Sequence, residues 1–112
     1  MSGPRRFLFA MWDGGGNVPP EIGLASRLVE RGHAVRVLGD PTLARAARLA
    51  GAEHTAWVSA PHRKSDRPED DVIKDYESAN PIAMIRDYIE AFVGRPAAHW
   101  AGETLAALES WP

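Results

Sequence analysis

Cysteine is missing from the 112 residues of this chain. Disulfide bridges and thiolate metal sites are therefore excluded, and a reducing cytoplasm is the expected location. Long hydrophobic runs are missing as well. The run near the start, residues 7–12, has only six apolar residues, whereas a membrane-spanning helix needs about 20. We expect a strand there rather than a signal peptide, and no membrane partner.

A large excess of charge of either sign is also missing, since 13 basic and 15 acidic residues leave a net charge of −2. This balance gives no electrostatic reason to expect nucleic acid as a partner. The composition, with 45% hydrophobic and 25% charged residues, is ordinary for a globular protein. The length suits one hydrophobic core and is too short for two ordinary domains, so we expect a single domain over 1–112.

Two strands and a helix between them dominate the first part of the chain. Residues 7–12 are continuously apolar, which is typical of a parallel strand buried on both faces, and 34–39 are interpreted as a second strand. Between them, Pro19 and Pro20 suit the first turn of a helix that ends at Gly32. This order predicts a right-handed βαβ unit.

The rest of the chain predicts one more strand and three more helices. Asp40 followed by Pro41 is interpreted as a cap and first-turn proline of a helix that ends before Gly51. The later elements are a strand over 54–58, a long loop over 59–75, a helix from Asn80 to Gly94 and a last helix over 98–108. The charged run 63–71 within the loop is most simply a solvated surface.

These elements predict an α/β fold, a Rossmann-like three-layer domain with a short parallel sheet. In the common doubly wound arrangement the strands lie in the order 3-2-1-4. The pattern provides no fourth strand, so the first and most apolar strand is left with an open edge. We expect further chain to cover that edge, or the same strand of a second copy to pair with it in a homodimer.

Two segments have a recognisable sequence: Gly-Asn-Val-Pro-Pro-Glu-Ile-Gly-Leu-Ala at 16–25 and Arg-Gly-His-Ala-Val at 31–35. They resemble the N-terminal, acceptor-binding domain of an antibiotic or macrolide-type, UDP-glycosyltransferase-like enzyme of the GT-B fold. In that family the first strand leads to a Gly-His-Val-Asn-Pro-like turn and then to a helix ending in Arg-Gly-His. The similarity continues at 50–53 and 103–108, while 59–78 matches only loosely.

The resemblance implies inverting transfer of a sugar from a nucleotide diphosphate sugar to a hydroxyl of a small-molecule acceptor bound by this domain. The donor sugar nucleotide would bind a separate C-terminal domain. The family signatures of that domain, a His-Cys-Gly-type loop and an acidic-Gln pair, do not occur here. No cofactor is therefore expected in this chain, and on its own it should not transfer sugar. In the family, the segment equivalent to the charged run borders the acceptor pocket.

The resemblance also places the catalytic position. The family's general base is a histidine in the turn after the first strand, where this sequence has Asn17. A carboxamide does not take a proton near neutral pH, so Asn17 can orient an acceptor hydroxyl without deprotonating it. Asp13 in the same loop and His62 after the third strand are the nearest residues that could replace the missing general base. The sequence does not decide between them. Each would lie at the carboxyl end of a strand, where open α/β sheets bind ligands.

The loop after the first strand has two interpretations. Gly14, Gly15 and Gly16 permit a tight turn with positive φ, and they equally leave room for a substrate beside helix amides that suit an oxyanion or phosphate. Trp12, at the end of the strand, is expected to line the pocket. The other large apolar residues are expected in the core, namely Trp57, Met84, Tyr88 and Phe92. His33 is expected to be structural, and His54 and His99 are expected to be surface or strand-end residues.

Two other functions are alternatives to acceptor binding. Dinucleotide binding fails because Pro19 stands where the fingerprint requires its third glycine, and Asp40 is explained as a cap. A stand-alone small-molecule binding or interaction module without catalysis is the stronger alternative. The missing donor half and the missing histidine at Asn17 both favour it.

Overall fold

The strands and helices follow the predicted order along the chain. The computed structural model describes residues 3–72, 74, 80–94 and 96–111. Its strands are β1 (Arg6–Ala10), β2 (Ala34–Gly39) and β3 (Glu53–Ala56). Its α-helices are α1 (Val18–Glu30), α2 (Ala44–Leu49), α3 (Pro81–Tyr88) and α4 (Ala97–Ser110). Single 3-10 turns cover Pro41–Leu43 and Pro68–Asp70, and α3 continues as a π-helix over Ile89–Val93.

The three strands form one parallel sheet in the order β1-β2-β3. In the register, Phe7 lies opposite Val35, and Val37 lies opposite His54. This is the order predicted for the first three strands, with β1 at an edge. No fourth strand pairs with β1 in the part of the chain that the structure describes. The middle of β1 is accordingly half-buried, whereas the end of β2, in the centre of the sheet, is buried.

The prediction that the first strand extends to Trp12 is wrong by two residues. The Met11 amide still donates to the Leu38 carbonyl at 2.9 Å, as a strand residue would. The Met11 carbonyl, however, accepts a hydrogen bond of 2.9 Å from the indole Nε1 of Trp57. This side-chain donor takes the place of a backbone partner, and the chain leaves the sheet at this point.

Helices α1 and α2 cover one face of the sheet. Val35 and Val37 point to this face and are fully buried against Ala25 of α1 and Ala47 of α2. Helix α1 ends at Gly32, whose φ of 88° lies in the left-handed region that favours glycine. The Gly32 and His33 amides donate to the carbonyls of Val29 and Leu28, which forms a Schellman cap and turns the chain back into β2.

Helix α4 covers the other face. Leu38 and Trp57 are buried there, with Trp100 and Ala107 of α4 packed against them. The rings of Trp57 and Trp100 meet edge to face, with centroids 4.7 Å apart. Because helices lie on both faces, the sheet is the middle of three layers. No helix in the described ranges is both long and apolar enough to span a membrane.

A carboxylate fixes α4 to the loop after β3. Glu103 accepts hydrogen bonds from the backbone amides of Val58 at 2.6 Å and Ala60 at 2.7 Å, and from the amide and hydroxyl of Ser59 at 3.2 and 3.3 Å. Burial by itself raises the pKa of Glu103, but these hydrogen bonds outweigh it and hold the pKa below its ordinary value. The helix is thereby oriented beside the carboxyl edge of the sheet.

Candidate functional site

The loops that follow the three strands meet at a single buried carboxylate, that of Asp40. Only 1% of Asp40 is exposed. Its Oδ1 accepts from the amide of Asp13, after β1, at 3.2 Å. Its Oδ2 accepts from the amide of Arg63, after β3, at 2.7 Å. One side chain at the end of β2 therefore joins the loops of both neighbouring strands.

Asp40 occupies the predicted N-cap position and Pro41 lies in the first turn, but that turn is a 3-10 helix and the Asp40 side chain makes no capping hydrogen bond. The turn is closed instead by the Leu43 amide, which donates to the Asp40 backbone carbonyl at 3.0 Å. Burial raises the pKa of the Asp40 carboxyl, and the nearby charge of Asp13 raises it further. The hydrogen bonds from Arg63 and Asp13 offset part of this rise.

Asp13, a predicted catalytic candidate, is held on both oxygens. Its Oδ2 accepts from the Thr42 hydroxyl at 2.6 Å and lies 3.4 Å from a terminal nitrogen of Arg63. Its Oδ1 accepts from the Gly15 amide at 3.2 Å. The Nε of Arg63 lies 2.8 Å from Asp71 Oδ1, an ion-pair distance with angles outside hydrogen-bond geometry. Arg63 thus bridges two carboxylates.

The glycine loop uses its own amides. The Gly14 amide donates to Asn17 Oδ1 at 2.9 Å, and the Gly16 amide donates to the Gly14 carbonyl at 3.1 Å. Gly15 has a φ of 79°, as the tight-turn interpretation requires. At the start of α1, the Val18 amide donates to the Gly15 carbonyl, and the two prolines that follow carry no N–H. These hydrogen bonds favour a tight turn over a cradle for an oxyanion or phosphate.

The side chain of Asn17 is hydrogen-bonded to this loop and to the first turn of α1. In addition to accepting from Gly14, its Nδ2 donates to the Trp12 carbonyl at 2.9 Å and to Glu21 Oε2 at 3.0 Å. The carboxamide therefore closes the turn between β1 and α1. A contact between Asn17 and an acceptor hydroxyl stays a prediction, and it would require one of these hydrogen bonds to be shared or broken.

Aromatic rings form the wall opposite the loop. Trp12 is 38% exposed, and its ring centroid lies 4.5 Å from that of Phe92, which lies on the π-helix after α3. Tyr88, at the end of α3, lies 6.1 Å from Phe92. The sequence predicted Tyr88 and Phe92 in the core; both instead line the cleft, because α3 and its π-helical extension lie over the carboxyl edge of the sheet. Trp57 is buried, as predicted.

These groups enclose a cleft of about 190 Å³. Its walls comprise Trp12, Asp13, Gly14, Gly15, Arg63, Asp71, Val72, Tyr88 and Phe92. A second, more apolar cavity of about 300 Å³ adjoins it and shares Trp12 and Phe92. Its other walls are Ala10, Met11, Trp57, Trp100 and Thr104. Since an apolar cavity of about 150 Å³ accommodates benzene, the cleft has room for a single substituted ring.

The predicted site residues are only partly brought together. Trp12, Asp13, Gly14 and Gly15 line the cleft, whereas Gly16, Asn17 and His62 are not among its walls. The Nδ1 of His62 lies 2.7 Å from the Ala60 carbonyl. Its neighbour in the chain, Arg63, supplies the side chain that reaches the cleft.

Arg63 and Asp71 line the cleft but were not predicted as site residues. Both belong to the charged run after the third strand, and the position of that run after the carboxyl end of β3 was the available signal. Its composition favoured a solvated surface instead. In the described ranges, no group of three or more His, Asp or Glu side chains is arranged to hold a metal ion.

Comparison with known proteins finds a similar fold. No protein-family model and no curated protein sequence matches the chain. The solved structure of the glycotransferase of kitacinnamycin matches 86% of this chain at a TM-score of 0.50 and 24% identity. That of CalG4, the calicheamicin glycosyltransferase, matches 85% at a TM-score of 0.46 and 28% identity. The chain spans about a quarter of the length of each, 24% and 23%. The first match shows that this chain is a small α/β unit with the fold of one part of that larger structure.

Proposed function

We propose that this chain is the acceptor-binding part of a glycosyltransferase. The observation that carries the proposal is the cleft at the carboxyl edge of the sheet, walled by Trp12 and the glycine loop on one side and by Tyr88 and Phe92 on the other. Two further observations support it: the fold shared with part of the kitacinnamycin glycotransferase, and the resemblance of residues 16–25 and 31–35 to that family.

In the full-length enzyme, a sugar would pass from a nucleotide diphosphate sugar to a hydroxyl of a small-molecule acceptor in this cleft. The aromatic rings would hold the apolar body of the acceptor, and the carboxylates of Asp13 and Asp71 would accept a hydrogen bond from its hydroxyl. The donor would bind a separate domain. The present chain lacks the family's donor signatures, and Pro19 and Pro20 at the start of α1 carry no N–H for the sugar nucleotide, so the chain is not competent alone.

Calorimetric titration of the chain tests the proposal. The neutral probe 4-hydroxybenzyl alcohol should bind with a dissociation constant in the millimolar range, and UDP-glucose should not bind. Trp12→Ala should abolish binding of the alcohol, because it removes one wall of the cleft. Trp111→Ala is the matched control, since Trp111 packs on Arg36 of β2 and is not among the walls.

The opposite pattern would overturn the proposal. Binding of UDP-glucose that is lost in Trp12→Ala, with no binding of the aromatic alcohol, would mean that the cleft is a nucleotide site. Equal loss of alcohol binding in Trp12→Ala and Trp111→Ala would mean that the alcohol does not bind in the cleft.

A specific observation favours the second candidate, a stand-alone binding or interaction module without catalysis. Asn17, at the family's catalytic position, makes its side-chain hydrogen bonds within the turn and does not line the cleft. The natural transcript past codon 112 discriminates the two. A reading frame that continues into a domain with a nucleotide-sugar loop supports the enzyme, and a stop codon supports the module.

The open edge of β1 adds a proposed partner. A separate apolar groove is lined by residues of the π-helix and α4, including Val93, Trp100 and Leu105. Val93 is 67% exposed and Leu105 is 59% exposed. In a longer protein we expect the C-terminal donor domain to cover the edge of β1 and this groove. For the isolated chain we expect a homodimer in which the two β1 strands pair across a two-fold axis.

A further inference from the structure

We propose that the cleft, here called the Trp12 cleft, selects a cationic or neutral hydroxylated aromatic acceptor and rejects an anionic one. This inference rests on the proposed function, because it assigns a charge class to the acceptor. It follows from which polar groups at the cleft are already paired and which retain capacity for a ligand.

The backbone amides of the glycine loop, Gly14 to Gly16, already donate to acceptors within the protein. The Gly14 and Gly15 amides, the two backbone N–H groups among the glycine walls, donate to Asn17 and Asp13. A carboxylate or phosphate that entered the cleft would have to displace one of these internal acceptors. At the start of α1 the Val18 amide donates to the Gly15 carbonyl and Pro19 and Pro20 carry no N–H, which weakens the usual backbone site for an anion.

The acceptors, by contrast, are in excess. The walls carry two carboxylates, Asp13 and Asp71, against one guanidinium, that of Arg63. Arg63 lies 3.4 Å from Asp13 and 2.8 Å from Asp71, although its Nε makes no hydrogen bond within the described residues. Each carboxylate can accept about four hydrogen bonds, so both retain lone pairs for a ligand hydroxyl or ammonium. Asp40, which accepts from the Asp13 amide and is not a wall of the cleft, adds a further carboxyl at this end of the sheet.

The apolar walls support the same preference. Trp12, Tyr88 and Phe92 present aromatic rings, and the faces of such rings attract cations as well as stacking on other rings. A ligand ring on this wall can direct an ammonium or hydroxyl towards Asp71. The same pose would bring a ligand carboxylate against two like charges.

The test uses three probes that share one phenol ring and differ in charge. These are 4-hydroxybenzylamine, 4-hydroxybenzyl alcohol and 4-hydroxybenzoate, titrated into the ¹⁵N-labelled chain near neutral pH. The Gly14 and Gly15 amides and the Trp12 indole N–H report binding in the cleft. We expect the amine to bind roughly tenfold or more tightly than the benzoate, with the alcohol between them, and the ratio to shrink as salt is raised.

Asp71→Asn keeps the size of the side chain and removes one charge. It should reduce the ratio of amine to benzoate affinity several-fold, partly because Arg63 is released to pair with the benzoate. Asp66→Asn makes the same charge change on an exposed loop residue that is not a wall of the cleft, and should leave the ratio unchanged.

The outcomes separate this inference from the proposed function. Equal binding of all three probes, or tightest binding of the benzoate, would overturn the charge preference and leave acceptor binding in place. If Asp66→Asn and Asp71→Asn reduce the preference for the amine equally, the assignment of that preference to Asp71 is overturned. Absence of binding by every probe would overturn the proposed function and, with it, this inference.

Discussion

Removal of the Asp40 carboxylate should destabilise the protein far more than its position at a strand end suggests. Asp40→Ala leaves the amides of Asp13 and Arg63 without their acceptor. A buried polar group without a partner costs about 1–3 kcal/mol. Two such groups, less the relief from no longer burying the carboxyl itself, give an expected loss of about 2–4 kcal/mol in the free energy of unfolding. For a chain of this size we expect Tm to fall by roughly 10 °C or more.

Urea denaturation followed by circular dichroism measures this loss. Asp40→Asn should fall between wild type and Asp40→Ala, because it keeps one acceptor oxygen and turns an NH₂ group towards the other amide. Asp66→Ala, an exposed acidic residue in the loop after β3, is the control and should change stability by less than about 0.5 kcal/mol. A loss below about 1 kcal/mol in Asp40→Ala would refute the conclusion that this carboxylate joins the loops.

The pH dependence gives an independent check. The pKa of Asp40 is raised in the folded protein, first by burial and then by Asp13. A raised pKa means that its contribution to stability is complete below the ordinary value of 3.8 and is lost as the pH rises through the folded pKa. The difference in stability between wild type and Asp40→Ala should therefore narrow from acid towards neutral pH. A difference that widens over this range would contradict the assigned direction.

Two further predictions concern other parts of the fold. Glu103→Gln should destabilise the protein by about 1 kcal/mol at neutral pH, because an NH₂ group replaces one oxygen that accepts from Val58 or Ala60. Those hydrogen bonds lower the pKa of Glu103 despite its burial. The difference in free energy of unfolding between wild type and Glu103→Gln should therefore be complete above about pH 4.5 and disappear as the pH falls through the folded pKa. Urea titrations across that pH range measure it. Light scattering of the isolated chain at tens of micromolar should give the mass of a dimer, because no strand in the described part of the chain pairs with the outer edge of β1. A monodisperse monomer would exclude pairing through β1.

The order of the strands could be predicted because it depends on local patterns and on general topology. The continuous apolar run after Arg6, the prolines at the start of α1 and Gly32 at its end each act within a few residues. Together with the right-handed crossover rule they determine the order β1-β2-β3 and place β1 at the edge. The end of β1 could not be predicted, because it depends on the indole of Trp57, 46 residues further along the chain.

The cleft was predicted less completely, because it too depends on contacts between residues that are far apart in the sequence. The sequence Asp40-Pro41 has the local signature of a helix cap, yet the partners of the Asp40 carboxylate are 27 and 23 residues away. Arg63 lies in a charged run whose composition favours solvent, and only the convergence of the loops brings it to Asp13. Trp12 lines the cleft, as its place at the end of the apolar run 7–12 indicated, and its contact with a substrate stays a prediction.

The way Asp40 binds its neighbours has a consequence for how the cleft can evolve. Its carboxylate accepts from the backbone amides of residues 13 and 63, not from their side chains. Every amino acid except proline supplies such an amide, so mutation at either position leaves these two hydrogen bonds available. The side chains that face a ligand can therefore diversify while the loops that carry them keep their positions. Relatives that bind different small molecules are expected to retain an acidic residue at position 40 and to vary at 13 and 63.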